Sequence, residues 1–165
     1  MVEVGIVMGS DSDWPKIRGA ATALEEFGVE YEVRVMSAHR TPNLVEEYAK
    51  TASDRGVQVL IAAAGGAAHL AGVVASHTIV PVIGIPVTTE LAGGLDSLLS
   101  MVQMPGDIPV AVVGTNGGGP RNAGLLAVQI LAVSRPSLRQ KLLAFRGKLA
   151  EKVAARDIRL RESLS

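Results

Sequence analysis

The sequence predicts an α/β fold in which a five-stranded parallel sheet lies between two layers of helices. Five short runs rich in valine and isoleucine have the character of strands buried on both faces. These runs cover residues 2–8, 31–36, 58–64, 81–87 and 109–114. Helical patterns fall between successive runs, and this alternation is typical of parallel strands joined by right-handed crossovers. Five such units favour a flavodoxin-like, three-layer α-β-α sandwich with the strand order 2-1-3-4-5.

Capping and stop residues delimit the helices between the strands. The first helix is predicted over 14–27, with Asp13 as its N-cap and Gly28 as its stop. The second is predicted over 42–55, where Thr41 is the cap and a proline occupies the first helical position. Three further helices are predicted over 67–76, 95–103 and 120–133.

Two helical segments carry apolar surface that predicts self-association. The segment 67–76 has almost no polar face, so we expect it to be buried on all sides, with its outer side against another subunit. A C-terminal helix is predicted from Pro136 to about residue 160, roughly 35 Å long and longer than one domain covers. Its apolar stripe consists of Leu138, Leu142, Phe145, Leu149 and Val153. A frayed surface helix is the alternative.

The composition indicates one folded domain over 1–165, with its core in 1–134 and a helical extension over 135–165. The 165 residues are 48% hydrophobic and 19% charged, which excludes intrinsic disorder. The sixteen basic and sixteen acidic residues cancel, so the chain lacks the one-sided basic field of a nucleic-acid binder. The absence of cysteine excludes disulfides, thiolate metal sites and cysteine nucleophiles.

The apolar stretch over 57–87 is long enough to suggest a membrane span. Glycines, histidines and prolines interrupt it every few residues, so two buried strands that flank a buried helix explain it better. The N-terminal stretch MVEVGIVMGS has neither a basic segment nor a long apolar segment before a cleavage site. We therefore expect a cytoplasmic protein that does not contact a membrane.

The unusual residues of the chain collect where the predicted strands end, which is where open parallel sheets bind ligands. The segments are GSDSDW at 9–14, SAHR at 37–40, AGGAAHL at 64–70, TTELAGGLDS at 88–97 and GTNGGGPRN at 114–122. Their glycines let backbone N–H groups approach a ligand, and the helix N-termini beyond them add partial positive charge. The residues suited to a phosphate or a carboxylate are Ser10, Ser37, Arg40, Gly65 and Gly66. Taken singly, however, each loop is better explained as an ordinary turn.

The three histidines differ in their surroundings. His69 lies on an apolar helix, where a satisfied core or interface histidine is the simpler interpretation, and His77 is interpreted as structural. His39 has polar neighbours, leaves a strand end and stands beside Arg40, so a functional and a structural role are equally open. No two histidines have helical metal spacing, and the two acids of GSDSDW lack a third ligand, so no metal site is expected.

Taken together, five segments are more specific than any one of them. They are MGSDSDW, SAHRTP, AGGAAHL, PVIGIPV and GLDSLLSMVQMP, in this order across residues 8–105. The set closely resembles the purine-biosynthetic phosphoribosylaminoimidazole carboxylase family, and the likeness extends to about residue 134. The SAHR form resembles the 5-(carboxyamino)imidazole ribonucleotide mutase branch. The branch that takes CO2 directly, aminoimidazole ribonucleotide carboxylase, tends to have lysine where Arg40 stands.

The resemblance implies a flavodoxin-like octamer that works without metal, biotin or a nucleotide cofactor. It implies that Ser10, Asp13 and Arg40 hold the phosphate and ribose of a ribonucleotide, and that His39 transfers protons. The residues it places along the pocket are Ser37, Gly65, Gly66, Ala67, Ala68, His69 and Leu70. It is also compatible with functional coupling to the ATP-dependent synthetase that makes the substrate.

The implied reaction moves a carboxylate from an exocyclic nitrogen to a ring carbon. The carboxylate leaves as CO2 once the nitrogen is protonated, and the enamine-like carbon captures it and then loses a proton. Histidine suits both transfers because its unperturbed pKa of about 6.5 keeps both forms accessible near neutrality. A small apolar pocket lined by Ala67, Ala68 and Leu70 would retain the CO2 and exclude water.

Two rival functions and three departures from the family pattern remain open. A carboxylase that uses CO2 directly would share the fold, substrate and histidine role, whereas a flavin- or nucleotide-binding module would share the fold alone. The five aromatic residues, of which only Trp14 is near a strand end, argue against a flavin. Ala71 stands where the family usually has proline, and the loops at 106–107 and 116–121 also differ. We expect altered loop conformations there, with the core chemistry kept.

Overall fold

A parallel sheet of five strands forms the centre of the protein in the computed structural model, which describes residues 1–164. The strands are β1 (Val4–Met8), β2 (Tyr31–Val35), β3 (Val59–Ala64), β4 (Val82–Pro86) and β5 (Ala111–Val112). They lie in the order β2-β1-β3-β4-β5, and neighbouring strands are parallel. The predicted number, direction and order of strands are confirmed. The order reverses between β1 and β3, and such a reversal opens a crevice at the carboxyl ends of the strands.

Helices cover both faces of the sheet. They are α1 (Trp14–Ile17), α2 (Gly19–Phe27), α3 (Pro42–Thr51), α4 (Leu70–Ser76), α5 (Leu95–Val102), α6 (Gly119–Ala132) and α7 (Pro136–Leu164). Helices α2, α6 and the start of α7 pack on one face, and α3, α4 and the end of α5 pack on the other. This arrangement confirms the predicted three-layer sandwich.

Strand β3 shows why the strands appear in the sequence as unbroken runs of apolar residues. Val59, Ile61 and Ala63 face the α2 and α6 side, while Leu60 and Ala62 face the α3 and α4 side. Successive side chains of a strand point to opposite faces, and here both faces are covered by helices. No position of β3 is therefore available for a polar side chain, and all six of its residues are buried.

The first predicted helix is divided, and Asp13 occupies the predicted N-cap position without making a capping bond. Helices α1 and α2 are separated at Arg18, and a short 3₁₀ turn, Asp11–Asp13, precedes them. Asp13 makes no side-chain capping bond to α1. The hydroxyl of Ser10 instead accepts the backbone N–H of Ser12 at 3.3 Å and caps the 3₁₀ turn. This part of the chain therefore enters α1 from a tight turn at the end of β1.

Gly28 ends α2 as predicted, whereas Gly56, expected to end the second helix, ends the turn that follows α3. Gly28 has a φ of 71° and Gly56 a φ of 89°, a left-handed conformation that glycine adopts without steric cost. Helix α3 itself ends at Thr51, short of the predicted end at residue 55, and a turn carries the chain to Gly56.

Helix α4 is buried largely by its own chain. It begins at Leu70 instead of residue 67, because the segment before it forms the loop that leaves β3. Four of its residues are buried, namely Leu70, Ala71, Val74 and Ala75. Gly72 and Val73 are half-buried, so the contact of this side with another subunit stays a prediction.

Helix α7 is longer than its own domain covers. It runs for 29 residues, Pro136–Leu164, which corresponds to about 43 Å. Leu138 is buried and Phe145 packs against the core, whereas Leu149 and Val153 are 41% and 63% exposed. The long C-terminal helix is therefore confirmed, and its use in self-association stays a prediction.

The described part of the chain, residues 1–164, contains no helix with the length and apolarity needed to cross a membrane. The predicted division into a core over 1–134 and an extension over 135–165 stays a prediction. Helix α6 ends at Ala132 and α7 begins at Pro136, so the predicted boundary falls in the short link between them.

Candidate active site

A cleft of about 320 Å³ opens at the carboxyl ends of β1 to β4, where the sequence predicted a binding site. From the first two strand ends it is lined by Ser10, Asp13, Ser37, His39 and Arg40. From the third strand end it is lined by Gly65, Ala67 and Leu70. A volume of this size is at the lower end of that of small-molecule sites. The fold thus brings eight of the eleven predicted site residues to one cavity.

Two hydroxyl groups hold the turn after β2. The Ser37 hydroxyl accepts the backbone N–H groups of His39 at 3.3 Å and Arg40 at 3.2 Å. The Thr41 hydroxyl accepts the N–H of Ser37 at 2.9 Å and donates to its carbonyl at 3.2 Å. Thr41 therefore closes this turn and makes no side-chain cap on α3, which corrects the predicted role. The closed turn presents His39 and Arg40 to the same cleft.

Arg40 joins the first two strand-end loops. One of its terminal nitrogens, Nη2, donates to the backbone carbonyl of Gly9 at 2.9 Å. A guanidinium group has five N–H donors in a planar fork, so this single bond leaves most of them for an anion. The side chain thus combines a fixed position with a free, permanently charged face.

His39 and His69 form a hydrogen-bonded pair. The Nε2 atom of His39 lies 2.8 Å from Nδ1 of His69, and the ring planes meet at 75°. One ring must donate and the other accept, so the bond carries a single proton that either ring can hold. His69 is exposed at the N-cap position of α4, so it is not a core histidine, and its place at a subunit interface stays a prediction. Within residues 1–164 the Nδ1 atom of His39 has no hydrogen-bond partner.

The loop after β1 places hydroxyl groups and one carboxylate at the cleft. The hydroxyl groups of Ser10 and Ser12 are 2.8 Å apart and hydrogen-bonded. Partial burial raises the pKa of the Asp13 carboxyl, and the nearby ammonium group of Lys16 opposes that shift. A partly desolvated carboxylate that caps no helix is available to accept hydrogen bonds from hydroxyl groups of a ligand.

Three predicted site residues stand behind the cleft instead of lining it. Gly66 is bonded to α5 behind the cleft, because its N–H donates to the Ser97 hydroxyl at 3.0 Å. Ala68 is fully buried in the core on the α3 and α4 side, so it supports the wall. His69 reaches the site through its bond to His39.

Three further residues that line the cleft, Lys16, Thr88 and Thr89, were not among the predicted site residues, although the segment 88–97 was placed at a strand end. Lys16 lines the cleft one helical turn after Asp13, and its Nζ atom lies 3.4 Å from the carbonyl of Thr88. The Thr89 hydroxyl donates to Asp96 at 2.6 Å, and this bond lowers the pKa of the Asp96 carboxyl. The helical spacing from Asp13 could have indicated Lys16, and the strand-end rule could have indicated the two threonines.

The loop after β5 lines a neighbouring cavity of about 500 Å³. In this loop the side-chain oxygen of Asn116 accepts the N–H groups of Gly118 at 3.0 Å and Gly119 at 3.1 Å. These bonds satisfy donors at the start of α6, which otherwise lack partners. The predicted departure of this loop from the family conformation stays a prediction.

The fold and the cleft define a class of protein: a flavodoxin-like α/β protein whose strand-end cleft holds an arginine beside a hydrogen-bonded histidine pair. Among residues 1–164 there is no group of three histidine, cysteine, aspartate or glutamate residues that could hold a metal ion. The expectation of metal-free and cofactor-free chemistry stays a prediction.

The chain belongs to the AIR carboxylase family, whose model matches residues 3–152. A relative from Mycobacterium tuberculosis, named N5-carboxyaminoimidazole ribonucleotide mutase, is 56% identical over 157 residues, which cover 95% of this chain and 89% of the relative. A relative of the same name from Thermotoga maritima is 51% identical over 162 residues, which cover 98% and 94%. The crystal structure of Treponema denticola PurE matches with a TM-score of 0.86 and 29% identity, over 97% of this chain and 99% of that one. The family resemblance predicted from the five segments is confirmed.

Proposed function

We propose that the chain interconverts N5-carboxyaminoimidazole ribonucleotide (N5-CAIR) and 4-carboxy-5-aminoimidazole ribonucleotide (CAIR) in purine biosynthesis. The observation that carries this function is the His39–His69 pair beside Arg40 in one strand-end cleft. The name shared by relatives that are 51% and 56% identical over most of the chain supports the same reaction. The enzyme is thus an isomerase that moves a carboxylate within one molecule.

The phosphate and ribose of the substrate bind at the β1 end of the cleft. The free face of the Arg40 guanidinium pairs with the phosphate oxygens, and the Ser10 hydroxyl donates to them. The Asp13 carboxylate accepts hydrogen bonds from the ribose hydroxyl groups. What supports this assignment is the position of all three side chains on one side of the cleft, with Arg40 tied to Gly9.

Proton transfer is the task of His39. In the forward direction a proton reaches the exocyclic nitrogen of N5-CAIR, the N–C bond breaks with its electrons left on nitrogen, and CO2 departs. The ring carbon C4 then attacks CO2, and loss of the C4 proton restores the aromatic ring. One proton is given and one is taken, so a single imidazole serves both steps. His69 supports this role because it can exchange a proton with His39 across their shared bond.

The wall of the cleft after β3 retains the CO2 between its release and its capture. Gly65, Ala67 and Leu70 line this wall and carry no side chain that could hydrate or trap the gas. Val87 adds an apolar surface from the end of β4. Exclusion of water from this space also prevents loss of the reactive intermediate by hydration.

Two other functions are less well supported. A carboxylase that uses CO2 directly has the same needs for phosphate binding and proton transfer, but the relatives from Mycobacterium tuberculosis and Thermotoga maritima are named as mutases. A non-catalytic nucleotide-binding module has no use for a histidine pair in the cleft.

The assembly, location and partner of the enzyme are part of the same proposal. The exposed apolar side chains of α7 support a homo-oligomer, which we propose to be an octamer. We place the enzyme in the cytoplasm, since its substrate is a phosphorylated precursor of nucleotides. Functional coupling to the ATP-dependent synthetase that makes N5-CAIR would shorten the lifetime of this labile carbamate in solution.

Incubation of the purified protein with CAIR tests the function. We expect the ultraviolet absorbance of CAIR to fall as it equilibrates with N5-CAIR, with no metal or nucleotide added. Mass spectrometry of the quenched mixture should detect N5-CAIR. An absorbance that stays constant at high enzyme concentration would contradict the proposal, and formation of aminoimidazole ribonucleotide alone would favour the direct carboxylase.

A further inference from the structure

Ser97 is a polar side chain buried beside the cleft. It lies in the first turn of α5, and none of its surface is exposed. Tyrosine aside, no other polar or charged side chain among residues 1–164 is buried. Ser97 is the last residue of the strand-end segment 88–97 and was not among the predicted site residues. Burial of a hydroxyl group is unfavourable unless its hydrogen bonds are made. The partners of Ser97 therefore indicate what it does.

The Ser97 hydroxyl connects the ends of two neighbouring strands. Its oxygen accepts the backbone N–H of Gly66 at 3.0 Å. Its proton goes to the backbone carbonyl of Val87 at 2.7 Å. Gly66 follows β3 and Val87 follows β4, so one side chain uses both its donor and its acceptor to hold two loops at a fixed separation.

Two neighbours on α5 strengthen the same connection. The Ser100 hydroxyl shares its proton between the carbonyl of Asp96 at 2.7 Å and that of Gly66 at 3.2 Å, so its bond to Gly66 is the weaker of the two. Asp96 accepts the hydroxyl of Thr89 at 2.6 Å and the N–H of Ser97 at 2.8 Å. The start of α5 is thus bonded to the loop after β3 and to the loop after β4.

These two loops form the β3 and β4 sides of the cleft. Gly65 and Ala67, on either side of Gly66, line the cavity, and Val87 lines it from the β4 side. Gly66 itself has a φ of 69°, a left-handed conformation, so the loop between the two lining residues is a tight bend. Ser97 and Ser100 of α5 both contact this bend at Gly66.

We infer that Ser97 is a positioning residue that keeps the β3 and β4 walls together, so that CO2 released from the substrate stays in the cleft until C4 captures it. The inference rests on the proposed function. CO2 has no charge and few groups that a protein can bind, so its retention depends on the fit of the surrounding walls. Loss of the Ser97 hydroxyl leaves the N–H of Gly66 and the carbonyl of Val87 without their buried partner, and the walls can separate.

Carbon labelling measures this retention directly. N5-CAIR carrying ¹³C in its carbamate carbon is converted by the enzyme in buffer with excess unlabelled bicarbonate, and mass spectrometry gives the label retained in CAIR. The wild-type enzyme should retain nearly all of it. The Ser97→Ala variant should lose at least about five times as much label per turnover as the wild-type enzyme, because a buried hydrogen bond has been removed. It should also release more free aminoimidazole ribonucleotide. Spontaneous decarboxylation is subtracted with a blank that lacks enzyme.

Control variants separate positioning from a general effect on folding. Ser76→Ala removes a hydroxyl that bonds only within α4, and it should retain label like the wild type. Ser97→Cys keeps a weak donor and acceptor of similar size and should give intermediate retention. If circular dichroism shows that Ser97→Ala does not fold, the label retained by Ser97→Cys tests the inference instead.

The outcomes distinguish the two proposals. Wild-type enzyme that forms no CAIR would overturn the proposed function, and the inference with it. Wild-type enzyme that forms CAIR while Ser97→Ala and Ser97→Cys retain as much label as it does would overturn the inference alone. Lower retention in both variants, with Ser76→Ala unchanged, supports it.

Discussion

At the scale of single residues, the site depends on two neighbours that do different work. His39 supplies an imidazole in contact with a second imidazole, and Arg40 supplies a permanent cation tied to the loop after β1. Both extend from one turn whose N–H groups are bound by the Ser37 hydroxyl. The backbone of that turn therefore sets the distance between the two side chains. Replacement of His39 and replacement of Arg40 should affect different kinetic constants.

Replacement of His39 should remove turnover and leave the fold intact. His39 is exposed, so His39→Asn should not change the circular dichroism spectrum or the oligomeric state. We expect kcat to fall by about 10² or more, the usual contribution of a positioned proton donor. The measurement is the conversion of CAIR followed by ultraviolet absorbance. Retention of most of the turnover would count against a proton-transfer role.

Replacement of Arg40 should chiefly weaken substrate binding. Arg40→Ala removes the phosphate partner and the bond to Gly9, so we expect KM to rise by more than about tenfold. Arg40→Lys keeps the charge without the planar fork and should give an intermediate KM. Arg139→Ala, on the exposed surface of α7, is the matched control. An unchanged KM in Arg40→Ala would contradict phosphate binding.

Asp13 should oppose folding near neutral pH. Burial raises its pKa, so the folded state favours the protonated carboxyl. The protonated Asp13 carboxyl stabilises the folded state at pH values below the ordinary pKa of aspartate. This contribution is lost as the pH rises through the raised pKa of the folded state. Asp13→Asn should therefore increase Tm at about pH 7, with the gain vanishing near pH 3, while KM rises. A lower Tm of the variant at neutral pH would show that the carboxylate stabilises the fold.

At the scale of elements, the hydrophobic pattern predicted the sheet, and the positions of the strand ends predicted the cleft. The hydrogen bonds that side chains make between distant segments were not predicted. Strand β5 is Ala111–Val112, shorter than the predicted 109–114, and Pro109, which has no N–H to donate, lies before its start. Ser97 and Gly66 are thirty-one positions apart, and no local pattern links them. The pairing of His39 with His69 likewise depends on the adjacency of β1 with both β2 and β3.

The close packing of α2 on α6 should tolerate no side chain at Gly124. A Cβ atom there would lie 2.3 Å from the backbone carbonyl oxygen of Ala20. Gly124→Ala should therefore separate the helices and lower the free energy of unfolding by about 1–3 kcal/mol in urea denaturation. Gly147→Ala, on the open side of α7, is the control and should stabilise the protein by about 0.5–1 kcal/mol. Equal stability of the two variants would contradict the packing.

At the scale of the whole molecule, the surface is more apolar than one isolated domain requires. Leu95, Leu99 and Val102 are each nearly half exposed along α5, on the helix that holds the cleft walls. Leu149 and Val153 extend the apolar stripe of α7 past the core. Contiguous exposed apolar surface of this kind marks interaction sites, and contacts on α5 would link assembly to the geometry of the cleft.

Disruption of this surface should reduce the size of the assembly. Leu99 is 49% exposed, so Leu99→Glu should preserve the fold of the subunit while placing a charge in the proposed contact. We expect light scattering after gel filtration to give a smaller mass than that of the wild type. Lys152→Glu, a charge change on exposed surface, is the control. An unchanged mass for Leu99→Glu would place the contacts elsewhere.

The most direct test of the central claim is the conversion of N5-CAIR to CAIR in degassed buffer from which bicarbonate has been removed. An isomerase that holds CO2 in the His39 cleft should form CAIR at the same rate with or without bicarbonate. Formation of CAIR only from aminoimidazole ribonucleotide and added bicarbonate would contradict the account.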